Sequence, residues 1–285
     1  MQEMKRILCS SYGTSFREAA REPWNGQILL VTHGGWYIET EHNDILLLHD
    51  AKYGEVPIGA ALPNIGILPY DKQLEHTPVH YGNHRLLLPQ NVQIELYSSV
   101  EPRSFAIGRV SPTWVEVLTN ALQTMGKGSL RCTVCNVLLS KEDPFQRAVM
   151  HRVDNLRCAL REGRDEAASE GVKEMLGLGM GLTPSCDDWL VGYLYASRIL
   201  GKAKQFHTVG EAVLKYADEY TNKISAEYLK AVARGEYYEL LERCLLEGKS
   251  DCILRLLSIG NSSGSDMLSG MIAACTDEIR SESRA

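Results

Sequence analysis

The chain has 285 residues, a formal net charge of −6, and 44% hydrophobic against 23% charged residues. That balance belongs to a globular protein with a full core, and with no basic excess on either side of Pro144 a nucleic-acid partner is not expected. No run approaches the roughly 18 uncharged apolar residues of a membrane helix, and behind Lys5 and Arg6 the apolar stretch is only Ile7-Leu8-Cys9, too short for a secretory signal. The expectation is a cytoplasmic protein with no membrane partner.

In chain order, the first elements are short and β-like. Gln27–His33, the pair Gly34-Gly35 and Trp36–Glu41 read as a hairpin with a glycine turn. Ile45–His49, Val92–Tyr97 and Ser129–Leu139 read as further strands, with Pro57, Pro63, Pro69, Pro78 and Pro89 in the connections. Ser111 caps a helix that opens on Pro112, carries an apolar stripe of Trp114, Val117, Leu118, Ala121, Leu122 and Met125, and stops at Gly126. Asp143-Pro144 then opens a second helix, with Phe145, Val149, Val153, Leu156 and Leu160 on one face. Helical patterns follow at 165–176, 186–200, 209–233, 236–247, 251–258 and 265–279, a bundle of about seven helices. The expected fold class is α+β: residues 1–143 a β-rich barrel or sandwich with one helix, residues 144–285 a helical domain.

The eight cysteines are scattered, which does not suit a disulfide framework in so long a chain. Cys132-Thr-Val-Cys135 is the one CxxC and has no second pair to complete a zinc site. On a strand, residues three apart point to opposite faces, so these read as structural thiols. His76, His80 and His84 have helical spacing, but Pro78 and Gly82 interrupt it.

Two helices stand out. Trp189, Leu190, Val191, Tyr193, Leu194, Tyr195, Ile199 and Leu200 surround their axis, so that helix is buried, and Met267–Cys275 is apolar all round and built of small residues. Both begin on one spacing, Ser185-x-x-Asp188-x-Leu190-x-Gly192 and Ser263-x-x-Asp266-x-Leu268-x-Gly270. Gly192 and Gly270 let the two backbones approach closely.

Ahead of the first of them runs Leu176-Gly-Leu-Gly-Met-Gly-Leu-Thr-Pro-Ser-Cys-Asp-Asp188. Glycines at 177, 179 and 181 make a poor strand and a poor helix; they suit a backbone that must come close to something. The segment feeds a helix N-terminus, where free N–H groups favour negative charge or carbonyl oxygen. Ser-x-x-Asp is also close to a capping box, so the serines and aspartates equally fit helix caps. That plain reading leaves the glycines and the adjacent Asp187 and Asp188 unexplained.

Charge restricts the ligand. A carboxylate about 4 Å from an anion is repelled by roughly 4 kcal/mol at an effective dielectric near 20, and a helix N-terminus returns only about 0.3–2 kcal/mol. Three solutions remain: a divalent cation or a basic side chain bridges them, the aspartates cap their own helix, or the ligand is a neutral amide, such as a carbamoyl or ureido group. The polar cluster Gly260-Asn-Ser-Ser-Gly-Ser-Asp266 faces the same pocket if the two helices cross at their glycines. Thr221 and Ser225, four apart inside the 209–233 pattern, either join it or bond back to their own helix.

These residues resemble a known family. Gly177-Leu-Gly-Met-Gly-Leu-Thr-Pro-Ser-Cys-Asp-Asp188 is similar to the signature Gly-x-Gly-Pro-Gly-Leu-Thr-Pro-Ser-x-Asp-Asp of the oxamate carbamoyltransferase H-subunit family (AllH), and Ile259-Gly-Asn-Ser-Ser-Gly-Ser-Asp266 to its second signature, Leu-Gly-His-Thr/Ser-Ser-Gly-Ala-Asp; Thr221 to Gly235 resembles an intermediate segment. Met180 replaces the usual proline and Asn261 the usual histidine, which removes an imidazole from any acid–base scheme. The resemblance implies anaerobic purine (allantoin) breakdown, in which oxalurate and phosphate give oxamate and carbamoyl phosphate, and it implies action with other subunits. On that basis Gly179, Gly181, Thr183 and Ser185 are expected to bind a carbamoyl, ureide or phosphate ligand. Asn261, Ser262, Ser263, Gly264 and Asp266 close the other side, with Thr221 and Ser225 as a third entry. Asp187 and Asp188 are the expected catalytic pair, orienting amide hydrogens or holding Mg²⁺; no other cofactor is expected. The rival readings are a non-catalytic assembly subunit and a metal-dependent amidohydrolase.

Overall fold

A computed structural model describes residues 4–96, 107–128, 130–135 and 144–282. Its contacts divide into two compact units, Met1–Ser104 with Glu236–Leu240, and Phe105–Gly235 with Leu241–Ala285.

The first unit is a nine-stranded sheet: β1 (Lys5–Leu8), β2 (Ser11–Tyr12), β3 (Trp24–Thr32), β4 (Gly35–Thr40), β5 (Ile45–Asp50), β6 (Gly59–Leu62), β7 (Pro78–Gly82), β8 (Arg85–Leu88) and β9 (Val92–Glu95), with a short helix α1 (Thr14–Ala19) after β2. Their order is β1-β9-β8-β7-β3-β4-β5-β6-β2. The β1–β9 and β5–β6 pairs are parallel and the rest antiparallel. The two end strands are separated in sequence only by Cys9 and Ser10. Cys9 N–H donates to the Glu95 carbonyl at 2.9 Å and Ser10 N–H to the Ala61 carbonyl at 2.8 Å. The sheet therefore curls until its edges meet at that dipeptide, which leaves little unpaired edge. Inside the curl lie Phe16, Trp24, Ile28, Trp36, Ile38, Leu48 and Ile94, each at most 2% exposed.

The expected hairpin stands as β3 and β4, and the curl answers the choice between barrel and sandwich. One expected strand is corrected. Leu130–Thr133, read as part of a strand, is a 3-10 turn; Ser129 and residues 136–139 lie outside the described residues. Local partners hold the turn: Thr133 Oγ1 donates to the Leu130 carbonyl at 2.7 Å, Cys135 N–H to the Arg131 carbonyl at 2.8 Å, and Arg131 reaches back to Gly126. Hydroxyl-to-backbone bonds of this kind compete with a ladder. Cys132 and Cys135 are nonetheless buried.

The second unit is helical: α2 (Pro112–Met125), α3 (Pro144–Arg161), α4 (Asp165–Met175), α5 (Ser185–Ile199), α6 (Ala203–Tyr220), α7 (Lys223–Ala233), most of α8 (Glu239–Leu246), α9 (Ser250–Leu257) and α10 (Ser263–Glu282). Ser111 caps α2 as expected, accepting from Trp114 N–H. That helix packs with the other helices: Trp114 Nε1 donates to the Cys244 carbonyl at 2.9 Å and Lys127 N–H, just past its end, to Ser265 Oγ.

The single helix expected over 209–233 is two. The chain leaves α6 at Thr221, which is extended, and restarts at α7 with Asn222 accepting from Ser225 N–H. No helix among the described residues is long and apolar enough to cross a membrane.

Helices α5 and α10 are the buried centre of this unit and cross through glycine, as their spacing predicts. A Cβ on Gly192 would lie 1.9 Å from the Met267 carbonyl oxygen, and one on Gly270 would lie 2.0 Å from that of Trp189. Only hydrogen fits at either position.

Candidate functional site

The glycine-rich segment is a turn-rich loop between α4 and α5, and its glycines are used in different ways. Gly177 and Gly179 have φ of +72° and +131°, and a Cβ on either would strike backbone, the Tyr220 carbonyl at 2.2 Å or Ser185 N at 2.4 Å. At Gly181, φ +113°, a Cβ would meet only the Thr183 carbonyl oxygen, at an ordinary contact distance of 3.6 Å. The tip is exposed, Met180 to 90%. Main-chain N–H groups of residues 179–183 and of Ser185 donate to no acceptor among the described residues, whereas Leu178 N–H donates to Met175 and Cys186 N–H to the Leu178 carbonyl. A row of free donors thus leads into the N-terminus of a 15-residue helix, where the helix dipole adds to its pull on oxygen.

The two adjacent aspartates part company. Asp187 is fully buried, and its carboxylate accepts from Gly177 N–H at 2.8 Å, from Ser225 Oγ at 2.7 Å and from Thr221 Oγ1. It ties the loop to the break between α6 and α7. This explains the break: one carboxylate gathers two hydroxyls that a continuous helix would turn back on itself. Burial raises the Asp187 pKa, and the three donors pull it partly down again. Asn222, which the sequence reading passed over, donates from Nδ2 to the Leu182 carbonyl at 2.9 Å and so holds the exposed side of the loop.

Asp188 faces the other way, toward α10. Its Oδ2 accepts from Thr183 Oγ1 at 2.9 Å, and Thr183 Oγ1 lies 3.0 Å from Ser263 Oγ. The starts of α5 and α10 therefore meet through hydroxyls. Asp188 is only 3% exposed; its pKa is held well above the ordinary carboxylate value, first by burial and then by the neighbouring Asp266 and Asp187.

Asp266 is completely buried, and neither of its oxygens meets hydrogen-bond geometry with a donor. The hydroxyls of Ser262 and Ser185 and the Leu130 main chain stand near enough to moderate the effect, but burial raises its pKa to about 7. Gly128, another residue that sequence reasoning missed, abuts this group: a Cβ there would lie 3.2 Å from Asp266 Oδ1. Nothing in its local pattern marks it beyond being one of two glycines after α2.

Apart from Gly179, packed against Ser185, and Gly264, the expected site residues fall into three sets. Thr183, Ser185, Asp188, Ser262, Ser263 and Asp266 come together between the two helix starts. Thr221, Ser225 and Asp187 form an internal latch beneath the loop. Gly181 and Asn261 lie on the exposed rim, while Gly264 is buried where a Cβ would meet the Leu256 carbonyl of α9 at 1.7 Å. Among the described residues no group of three or more His, Cys, Asp or Glu is placed to hold a metal ion. Cys186, next to both aspartates, is buried with its thiol pKa driven up by burial and then by Asp187 and Asp266; it is a packing residue and not a thiolate. An open groove of about 650 Å³ lined by Asp165, Ser169, His207, Thr208, Glu211 and Lys215 contains none of the site residues.

Fold and site together define an α+β protein whose helical part carries a glycine-rich, acid-bearing junction of two helix starts. Residues 175–275, which span that junction from the end of α4 to the buried part of α10, match the model of the family described as oxamate carbamoyltransferase subunit AllH. No solved structure matches the chain.

Proposed function

We propose that this chain is a subunit of a carbamoyltransferase that acts on oxalurate or oxamate and carbamoyl phosphate in anaerobic allantoin breakdown, and that it binds the carbamoyl, ureide or phosphate part at the junction of α5 and α10. The observation that carries the reading is the row of unpartnered N–H groups from Gly179 to Thr183 ending beside the buried Asp188. Donors in a row grip carbonyl or phosphate oxygen, as an oxyanion hole does, and a carboxyl behind them takes the amide hydrogens of a carbamoyl group. The family match supports the same class of reaction. Within this reading Asp188 faces the ligand, Ser263 and Asn261 close the α10 side, and Asp187 sets the loop.

Titration calorimetry with oxamate, oxalurate and carbamoyl phosphate, with and without Mg²⁺, tests it on the chain alone and on the assembled complex. Heat for at least one of them is expected, lost at least tenfold in affinity in Asp188→Asn. No heat for any, in either form, overturns the reading.

A second reading, an assembly subunit without chemistry, draws on the latch, since Asp187 with its three donors is a purely internal device. Under it, Asp187→Asn and Asp188→Asn lower stability or complex formation alike, and the activity of what still assembles is unchanged. Under the first reading, Asp187→Asn loosens the fold and Asp188→Asn abolishes turnover in a folded protein.

A further inference from the structure

Asn222 stands where the chain breaks between α6 and α7, and both ends of its side-chain amide are used. Oδ1 accepts from Ser225 N–H at 3.1 Å and caps α7, while Nδ2 donates to the Leu182 carbonyl at 2.9 Å. A cap needs only an acceptor, which Ser or Asp supplies about as well as Asn. The donor is therefore a second task, and it reaches the glycine-rich loop 40 residues away in sequence. That loop is fastened from the break on two sides. Underneath, the fully buried Asp187 takes Gly177 N–H and the hydroxyls of Thr221 and Ser225; on the outer side, the Asn222 bond is exposed. Cys186 N–H closes the base of the loop on the Leu178 carbonyl at 3.0 Å. Among the described residues no hydrogen bond holds Gly179, Met180 or Gly181.

What the Asn222 bond fixes follows from the peptide group itself. The Leu182–Thr183 bond is trans and planar, so Thr183 N–H points opposite to the Leu182 carbonyl. With that carbonyl turned to Asn222, the N–H faces away from it. Pro184 restricts Thr183 to extended backbone, and Thr183 Oγ1 lies 2.9 Å from Asp188 Oδ2 and 3.0 Å from Ser263 Oγ. Thr183 is thus held by the carbonyl before it, the ring after it and its own hydroxyl. Its N–H nevertheless has no acceptor among the described residues.

We propose that Thr183 N–H is the donor that receives the ligand's oxygen, and that Asn222 is the positioning residue that aims it, acting through the Leu182 carbonyl. The ligand, a carbamoyl or ureide oxygen, rests on the function proposed above; the aiming of the donor does not. A donor already oriented needs no reorganisation when an oxygen arrives. Recognition is therefore concentrated at this one N–H and is not shared evenly along the loop, whose tip is held by no hydrogen bond of its own.

Two variants of the full chain separate aiming from capping. Asn222→Asp has the same shape and no donor; Asn222→Ser is uncharged, with a hydroxyl one bond too short for Leu182. Both keep an acceptor for Ser225 N–H. Hydrogen exchange in α7 is therefore expected to be unchanged, while the proton–nitrogen NOE of the Thr183 amide falls to the value at Met180. An unchanged Thr183 NOE in both variants overturns the aiming role. Loss of α7 protection in both overturns it as well, since the loop then merely follows the helix. The same samples are titrated with oxamate. In the wild type the Thr183 amide proton is expected to move further downfield than any other in the loop, and Asn222→Ser to bind oxamate about tenfold more weakly. Weakening confined to Asn222→Asp reports charge repulsion and overturns the assignment of Thr183. Oxamate that binds without moving the Thr183 amide overturns that assignment too, and leaves the function proposed above standing. No binding of oxamate, oxalurate or carbamoyl phosphate overturns that function and the ligand assignment together, and the NOE alone then decides the aiming.

Discussion

Burial acts on ionisable groups in both units, and it leaves them in different states. In the curled sheet the buried group is a base. His49 on β5 is 2% exposed, with Nδ1 3.1 Å from the Asp50 carbonyl oxygen and Nε2 unpartnered. Desolvation drives its pKa down to about 4, so it is neutral across the whole physiological range. Its ring lies against Gly59 of β6, where a Cβ would come within 2.6 Å of it, so the imidazole serves as packing. At the junction of α5 and α10 the buried groups are acids. The same desolvation lifts Asp266 to about 7, and it therefore changes charge at working pH. A dry interior silences the base and arms the acid, which is the physical reason to place chemistry in the helical unit.

The sharpest way to break this comparison is to open the junction. Gly270→Val puts side-chain atoms where the Trp189 carbonyl oxygen already lies 2.0 Å from a bare Cβ, and main chain cannot yield as a flexible side chain does. The expected loss exceeds about 5 kcal/mol, so the helical unit does not fold while the sheet retains its hydrogen-exchange protection. Protection lost uniformly would show that the units unfold as one.

Acid pulls the two units in opposite directions. Asp266 has a folded pKa near 7 against about 4 unfolded, so between those values the native state binds more protons and its stability falls as pH rises. Over roughly three units that amounts to about 4 kcal/mol, present in full at pH 4 and lost by pH 8. Asp266→Asn flattens the dependence and is the more stable protein at pH 8, as denaturant melts at the two pH values read directly. His49 has the reverse sign. Its folded pKa of about 4 lies below the ordinary value of 6.5, so its stability is complete above 6.5 and falls by about 3 kcal/mol on acidification to pH 4. Hydrogen exchange between pH 5 and 7 should show β5 loosening as α10 tightens, and His49→Leu should remove the first effect without touching the second.

How far this was legible in the sequence depends on what each residue answers to. The crossing of α5 and α10 was readable because glycine at a fixed distance from a helix start has a single steric meaning, and Gly192 and Gly270 both obey it. The hairpin was readable because glycine is local turn chemistry, although the turn is His33-Gly34 and Gly35, expected in it, already pairs with Thr32 as the first residue of β4. Strand β6, Gly-Ala-Ala-Leu, was not, because all four of its residues are buried and it carries no alternation to detect. Nor was the split of 209–233, since the hydroxyls of Thr221 and Ser225 look like ordinary helix surface until Asp187, far off in sequence, is brought beneath them. The distinct fates of Asp187 and Asp188 were hidden for the same reason: adjacent residues at a helix start point about 100° apart, and only the fold decides what each one meets.

The smallest expected effect sharpens the comparison at its edge. Met180 is 90% exposed in the loop ahead of α5, and Asn261 is exposed just ahead of α10. Neither side chain has a hydrogen-bond or ring partner within the described residues. Met180→Ala and Asn261→Ala should therefore each change stability by no more than about 0.5 kcal/mol, well inside the shifts set by the buried groups. If a ligand binds between these two segments, Asn261→Ala weakens oxamate binding at unchanged stability, because it removes an exposed amide. Equal affinity for oxamate in the wild type and in Asn261→Ala would confine recognition to the loop donors and to the acids behind them, and would take the α10 rim out of the site.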